Sequence, residues 1–400
     1  MKLAIGILGC LLAAILSGCS ATHYEGPVFS HPTTLGEGKE WRNYPVVEDL
    51  DGDGRLDLVA THRRPLHENS MHIWLGGGDG QFQELPQTWH SPGYSGVGAG
   101  DLNGDGQIDL VAGSHFNRIH TYLSRDLGMF TESVMPSPDG YVNANIKDLN
   151  GDGIPEIIML GNERAGIEIF EPGGDQGIIP KSHMLEGNIG RDIRIVDMNK
   201  DGLPDIVASF GRIGVMVLLQ TAAGTWTAVP AEGLKSETSE FRSLDVGDVN
   251  NDGWPDLALN GGFAGLFKPN GPDVYLSNGE KGGWSPALTG LKHFKRPAEG
   301  VALADFDGDG NLDLIAGGNP SEDTNNKAYG LFLFRGDGRG HWELIEDSGL
   351  PKSGLPRPYG IVARDLNGDS HPDLVVAHGA PEEGDGFVRV WLNAAPKVKR

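Results

Sequence analysis

The sequence predicts an all-β fold, a seven-bladed β-propeller built from four-stranded antiparallel blades. Three observations carry the prediction. A nine-residue acidic segment occurs seven times, as DLDGDGRLD (49–57), DLNGDGQID (101–109), DLNGDGIPE (148–156), DMNKDGLPD (197–205), DVNNDGWPD (248–256), DFDGDGNLD (305–313) and DLNGDSHPD (365–373). Successive segments start 47 to 60 residues apart, a period that belongs to propellers and solenoids. Between them apolar residues alternate with a period of two, and 61 glycines and 25 prolines in 400 residues suit short strands joined by turns.

Each unit repeats one order of elements. A first strand leads into the acidic segment, as in YPVVEDL and SGVGAGDL, and a second leaves it, as in LDLVA, IDLVA and PDIVA. After a connection of variable length comes an alternating third strand: MHIWLG, IHTYLS, IEIFE, VMVLLQ, DVYLSN, LFLFRG and VRVWLN. A Gly-rich turn then gives a fourth strand with an aromatic near its start, as in QFQEL, MFTES, TWTAV, GWSPA and HWELI. Four such strands make an antiparallel meander, and seven meanders arranged radially make the ring. The seventh unit stops at WLNAAPKVKR, before a fourth strand. HYEGPVFSH (23–31) precedes the first unit and can supply that strand, closing the ring with both chain ends in one blade; a simple tether is the alternative.

Residues 1–18 have the form of a secretory signal, with Lys2 ahead of an apolar run to Leu16 that is short for a membrane span. Leu16-Ser17-Gly18-Cys19 resembles the lipobox of bacterial lipoproteins. That resemblance implies cleavage before Cys19 and acylation of its thiol and new amino group; an ordinary signal with a chance cysteine is the alternative. The sequence then divides into a signal (1–18), a lipidated tether and closing strand (19–42) and the propeller (43–400). Ser20 is not the aspartate associated with inner-membrane retention, so a Gram-negative host would carry the protein on its outer membrane, lipid-anchored and monomeric. Cys10 leaves with the signal, so the mature protein has no disulfide and needs another staple.

The acidic segments can be that staple. Oxygens at positions 1, 3, 5 and 9 converge, position 7 offers a carbonyl, and glycine at position 6 permits the sharp turn, the logic of a shortened EF-hand loop. The residues involved are Asp49, Asp51, Asp53 and Asp57 in loop 1, and Asp101, Asn103, Asp105 and Asp109 in loop 2. Loop 3 has Asp148, Asn150, Asp152 and Glu156, and loop 4 has Asp197, Asn199, Asp201 and Asp205. Loop 5 has Asp248, Asn250, Asp252 and Asp256, loop 6 Asp305, Asp307, Asp309 and Asp313, and loop 7 Asp365, Asn367, Asp369 and Asp373. Oxygen-only ligands with several charges favour Ca²⁺, up to seven ions per molecule. Without a cation, carboxylates ~4 Å apart repel by about 1 to 4 kcal/mol per pair. The apolar residue at position 2 anchors each loop on the core. Glu156 should still chelate, whereas Ser370 replaces the turn glycine at a cost of about 1 kcal/mol, which makes site 7 the weakest.

These loops, their place between two strands and their sevenfold count resemble the FG-GAP/VCBS repeat propellers, which include the integrin α-subunit head. YGIVARDLNGDSHPDLVVAHGAP (359–381) carries the resemblance most fully, with Tyr359-Gly360 for the FG and Gly379-Ala380-Pro381 for the GAP. The resemblance covers residues of about 43 to 395, although the FG and GAP signatures are degraded in the other units. It implies calcium in loops on one face and ligand binding on the other.

A formal charge of −23 argues against nucleic acid as a partner, and 23 carboxylates lie in the seven loops alone. On the face opposite the loops, the connections between second and third strands are long in blades 5, 6, 7 and 1, which are consecutive around the ring. Arg42, Arg63, Arg64, Arg118, Arg164, Arg191, Arg212, Arg242, Lys268, Lys295, Arg296 and Arg357 also fall on that face. Arginine forks suit an anionic glycan or an acidic protein; pairing with loop acids such as Glu68, Glu163, Asp192, Glu299, Glu322 and Glu382 is the alternative. His62, Arg63, Arg64, Arg296, Arg357 and His378 are the ligand-site candidates. His62, His115 and His378 follow second strands in adjacent blades, as acid/base groups or transition-metal ligands near the channel, or as its polar lining. The sequence has no GxSxG, HExxH, P-loop or paired-cysteine motif. A non-catalytic binding or adhesion module is therefore expected, with a polysaccharide lyase or dehydratase on the same scaffold as the alternative and an envelope-assembly scaffold as the third reading.

Overall fold

The structure is a computed structural model that describes residues 29–394, apart from 31, 66–68, 91, 94, 126–127, 174–176, 231–232, 235–240, 265–267, 280–281, 295, 322–327 and 380–385. The signal, Cys19, most of 23–31 and parts of the long connections lie outside the described residues.

Among the described residues, seven blades of four antiparallel strands succeed one another around an axis. Blade 1 gains a short fifth strand, Glu40–Trp41, and a two-stranded hairpin, Gly262–Ala264 with Lys268–Asn270, stands apart. Blade 1 consists of Val46–Glu48, Asp57–Arg64, Met71–Gly76 and Phe82–Glu84, and the acidic loop joins its first two strands. The later blades repeat that arrangement. Second strands such as Asp109–Ser114, Glu156–Gly161 and Asp205–Phe210 are buried throughout, because both faces of each sheet meet a neighbouring blade. Leu149, Ile158 and Ile169 of blade 3, for example, share one core with Ile206, Phe210 and Leu218 of blade 4.

Near the axis the first strands crowd together. A Cβ on Gly98 would sit 2.8 Å from the Cα of Asn145 in the next blade, so only glycine fits there. Carboxylates lock the crowded strands to each other. Asp192 accepts the Leu244 N–H and Asp245 accepts the Leu303 N–H, both at 2.9 Å, linking blades 4, 5 and 6.

The ring closes in blade 7, whose strand order is Thr33–Leu35, Phe387–Trp391, Asp373–Gly379, Arg357–Arg364. Thr33 pairs with Val390 and Leu35 with Val388. The closing strand thus comes from the N-terminal segment, as expected, but lies later in the sequence than 23–31. From that stretch Phe29 forms a bridge to Asn393 and buries its ring against Phe306. Pro32 has no N–H to give a ladder, and the continuous pairing begins just after it.

Candidate functional site

Each acidic loop is held by the same three sets of hydrogen bonds. The position-1 carboxylate accepts the N–H of residue 6, from Gly54 to Asp49 at 2.9 Å in loop 1 and from Ser370 to Asp365 at 2.8 Å in loop 7. The residue-6 backbone has positive φ in every loop, from +84° to +91° at the six glycines and +71° at Ser370. Serine therefore does sit in the strained region, yet its N–H still makes the bond. Position 3 accepts the N–H of residue 5, and position 5 that of residue 7, as in Asp105 to Asn103 and Gln107 to Asp105.

The ninth residue is buried at the root of the loop. One of its oxygens accepts the N–H of residue 2, as Leu50 donates to Asp57 at 2.8 Å and Phe306 to Asp313 at 3.0 Å. Residue 2 itself is buried in all seven loops: Leu50, Leu102, Leu149, Met198, Val249, Phe306 and Leu366. The ninth residue thus ties the loop to the core as well as facing its acidic centre. Burial, reinforced by neighbouring carboxylates and opposed by backbone donors, pushes Asp57 and Asp373 up to about 6, Asp256 to about 7 and Asp313 to about 8. Asp109 and Asp205 move the same way.

Oxygens of Asp49, Asp51 and Asp53 lie within 4.8 Å of one another, and so do those of Asp305, Asp307 and Asp313. All-oxygen donors at that spacing fit a hard divalent cation.

At the other end of the axis lies a polar cavity of about 190 Å³. All seven blades contribute to its wall: Arg42, Asn43 and Tyr44 from the entry to blade 1, His115 from blade 2, Asn143 and Asn162 from blade 3, Arg191 from blade 4, Arg242 from blade 5, Glu299 from blade 6 and Tyr359 from blade 7. The first strands of blades 3, 4, 6 and 7 slip register around Val142, Arg191, Ala298–Gly300 and Tyr359. A bulge re-aims the residue at its centre, and these bulges supply Val142, Arg191, Glu299 and Tyr359 to the cavity.

Glu299 is the hub of the mouth. Arg242 approaches it at 3.2 Å, Arg357 at 3.3 Å and Arg42 at 3.9 Å. Burial opposes ionisation of Glu299, yet Arg357, Arg42 and Arg242 together hold its carboxyl below the usual carboxylate range. The Arg42 and Arg357 guanidiniums also lie over the Tyr359 ring, at 4.6 and 5.4 Å. Beneath, Arg194 stacks over Tyr44 at 4.5 Å and reaches Asp192 at 2.9 Å, and the Tyr44 hydroxyl meets Ser243. Tyr44 and Asn143 line both this cavity and the channel below it.

The ligand-site candidates are not brought together as a group. His62 is buried against Trp41 and His72 and donates from Nε2 to the Asn69 carbonyl at 3.0 Å. His378 is buried against Phe387 and Trp391, donates from Nδ1 to the Pro356 carbonyl, and is pushed down to about 3 by burial. The strands carry both rings inward into aromatic packing. His115 alone of the three lines the mouth, where burial and the charges of Arg63 and Arg42 push it down to about 4. Arg63 and Arg64 both face buried Glu40, at 3.8 Å, so part of the expected pairing with acids is present. Arg357 enters through Glu299, and Arg296 lies half-buried at the start of the first strand of blade 6.

Sequence reading missed Arg191, Arg242 and Glu299 as neighbours. A signal was available, because Tyr359 lies six residues before its acidic loop, and the same offset in the other blades gives Asn43, Ser95, Val142, Arg191, Arg242 and Glu299, all but Ser95 lining the cavity.

Fold and loops together define a class: a seven-bladed propeller whose repeat is a strand, an acidic loop and a second strand. Residues 49–112, 101–159, 148–208 and 197–259 each match the FG-GAP-like repeat model, and the chain belongs to that family. A stretch of 138 residues is 29% identical to integrin alpha-6 of Gallus gallus, covering 30% of this chain and 12% of the relative. Integrin alpha-6 of Homo sapiens is 27% identical over 162 residues, or 38% of this chain and 14% of the relative. The chain therefore spans a small fraction of these relatives' length. Crystal structures of BBS1N in complex with ARL6DN, soaked with mercury or lead, superpose with a TM-score of 0.57 at 12% and 11% identity. They cover 93% of this chain and 97% and 100% of their own, and share the fold.

Proposed function

We propose that the protein is a calcium-binding envelope lipoprotein acting as a non-catalytic binding or adhesion module. Its ligand, an anionic glycan or an acidic protein, enters the axial mouth opposite the calcium loops. The observation that carries this reading is the convergence of Arg42, Arg191 and Arg242 from three blades on one cavity, with asparagine amides and tyrosine faces beside them. Guanidinium forks and amides recognise carboxylate or sulfate, and aromatic faces receive the C–H surfaces of sugars or of aliphatic groups. The histidines speak for binding over catalysis, since His62 and His378 are packed inside blades and only His115 reaches the mouth.

The test is a screen of the soluble protein, starting at Ser20, against acidic and neutral polysaccharides and acidic proteins, with binding and degradation scored together. Acidic ligands are expected to bind, more weakly as salt rises. Arg191→Ala should weaken binding roughly tenfold or more while leaving the melting temperature nearly unchanged. Turnover of a ligand would contradict the non-catalytic reading, and equal affinity for neutral glycans would contradict the charge reading.

Anchoring has its own test. Cys19→Ser should move the protein from the membrane fraction to the soluble fraction; a variant that stays membrane-bound would refute the lipobox.

A further inference from the structure

Six of the seven loops treat the ninth residue alike, and the third does not. In the six, the second oxygen of the ninth aspartate accepts an N–H from the blade's third strand: Gly76, Ser124, Gln220, Ser277, Gly336 and Asn393, at 2.7 to 2.9 Å. In blade 3 the strand register places Pro172 at that point, and proline has no N–H to give. Glu156, longer by one methylene, turns its Oε1 to the Lys181 ammonium at 2.7 Å and to the Asn150 amide at 2.8 Å. Lys181 also meets Glu171. Asn150 is diverted by this contact. Its equivalents Asn103, Asn199, Asn250 and Asn367 all donate to the position-5 aspartate of their own loop.

Among the described residues, loop 3 also differs in having its ninth carboxylate, and no other, paired with a side-chain cation. Loops 1 and 6 have four carboxylates, and in each one arginine pairs with one of them, Arg55 with Asp53 and Arg335 with Asp307. That leaves a net charge of −3, the same as loops 2, 5 and 7, whereas Lys200 brings loop 4 to −2. Loop 3 has three carboxylates and one is taken by Lys181, leaving −2.

We propose that Lys181, standing where a third-strand N–H stands in the other six loops, holds the Glu156 carboxylate away from calcium, so that the protein binds six Ca²⁺ and loop 3 binds none. This rests on the calcium reading above, and places loop 3, not loop 7, last in affinity.

Bound calcium per molecule, counted by equilibrium dialysis and elemental analysis at saturating Ca²⁺, tests it. The expected counts are six for the wild type, five for Asp101→Asn and six for Asp148→Asn, because the last alters a loop that holds no ion. Lys181→Met should raise the count to seven. A wild-type count of seven, an ion lost in Asp148→Asn, or a count still at six in Lys181→Met would each overturn the proposal. A protein that binds no calcium would refute the calcium reading itself and this proposal with it.

Discussion

EDTA should lower the melting temperature of the protein by roughly ten degrees or more, and added Ca²⁺ should restore it. An ion that binds only the folded state adds about 1.4 kcal/mol per site at ten times its dissociation constant, about 10⁻⁴ to 10⁻³ M for extracellular modules. Six sites then add roughly 8 kcal/mol, and for a large domain each kcal/mol moves the melting point by about 2 to 4 °C. Stripping the ions also leaves like charges facing one another across each loop. A melting point indifferent to both chelator and calcium would rule out the metal.

The pH dependence follows from the ninth-position carboxylates. In the metal-free protein Asp57, Asp256, Asp313 and Asp373 have values raised to about 6 to 8, against about 3.9 for an unfolded aspartate. The folded state then binds more protons than the unfolded one, so their contribution is fully present below pH ~4 and is lost as pH rises through 6 to 8. With EDTA the melting point should therefore be higher at pH 5.5 than at pH 8. Calcium needs the ionised carboxylates, so its stabilising effect should grow over the same interval. Thermal melts at the two pH values, with and without calcium, check both signs.

Truncation at the N-terminus should open the ring. A protein starting at residue 36 loses Thr33–Leu35 and Phe29, and with them the outer edge of blade 7. Phe29 and Leu35 are both buried, and removing them forfeits about 1.5 to 3 kcal/mol each. The strand Phe387–Trp391 is left with an unpaired edge, a template for association with other molecules. Compared with a protein starting at Ser20, the truncated form should melt at least several degrees lower and aggregate on heating. Identical melting and monodispersity would mean that Thr33–Leu35 does not close the ring.

The loops and strands were legible because each repeats a pattern dictated by local chemistry. Asp-Gly spacing fixes the turn, and period-two alternation fixes the faces. Closure in blade 7 was legible from the missing fourth strand. Its location was not, since a three-residue strand after Pro32 leaves almost no pattern. The axial mouth was hidden for a different reason. A bulge is defined by pairing with the neighbouring strand, which the sequence does not state, so Arg191, Glu299 and Tyr359 read as ordinary strand residues. The packing of His62 and His378 was not legible because their surroundings depend on Trp41, Phe387 and Trp391 from other strands. The Lys181 contact was beyond reach of the sequence for the same reason: Pro172, Glu156 and Lys181 lie on three different strands.

Anomalous diffraction from crystals grown in calcium puts the metal assignment to its sharpest test, because it places each ion in a named loop. A peak bounded by positions 1, 3, 5 and 9 is expected in loops 1, 2, 4, 5, 6 and 7. Empty loops at saturating calcium, in crystals that diffract well enough to show the ion, would contradict it.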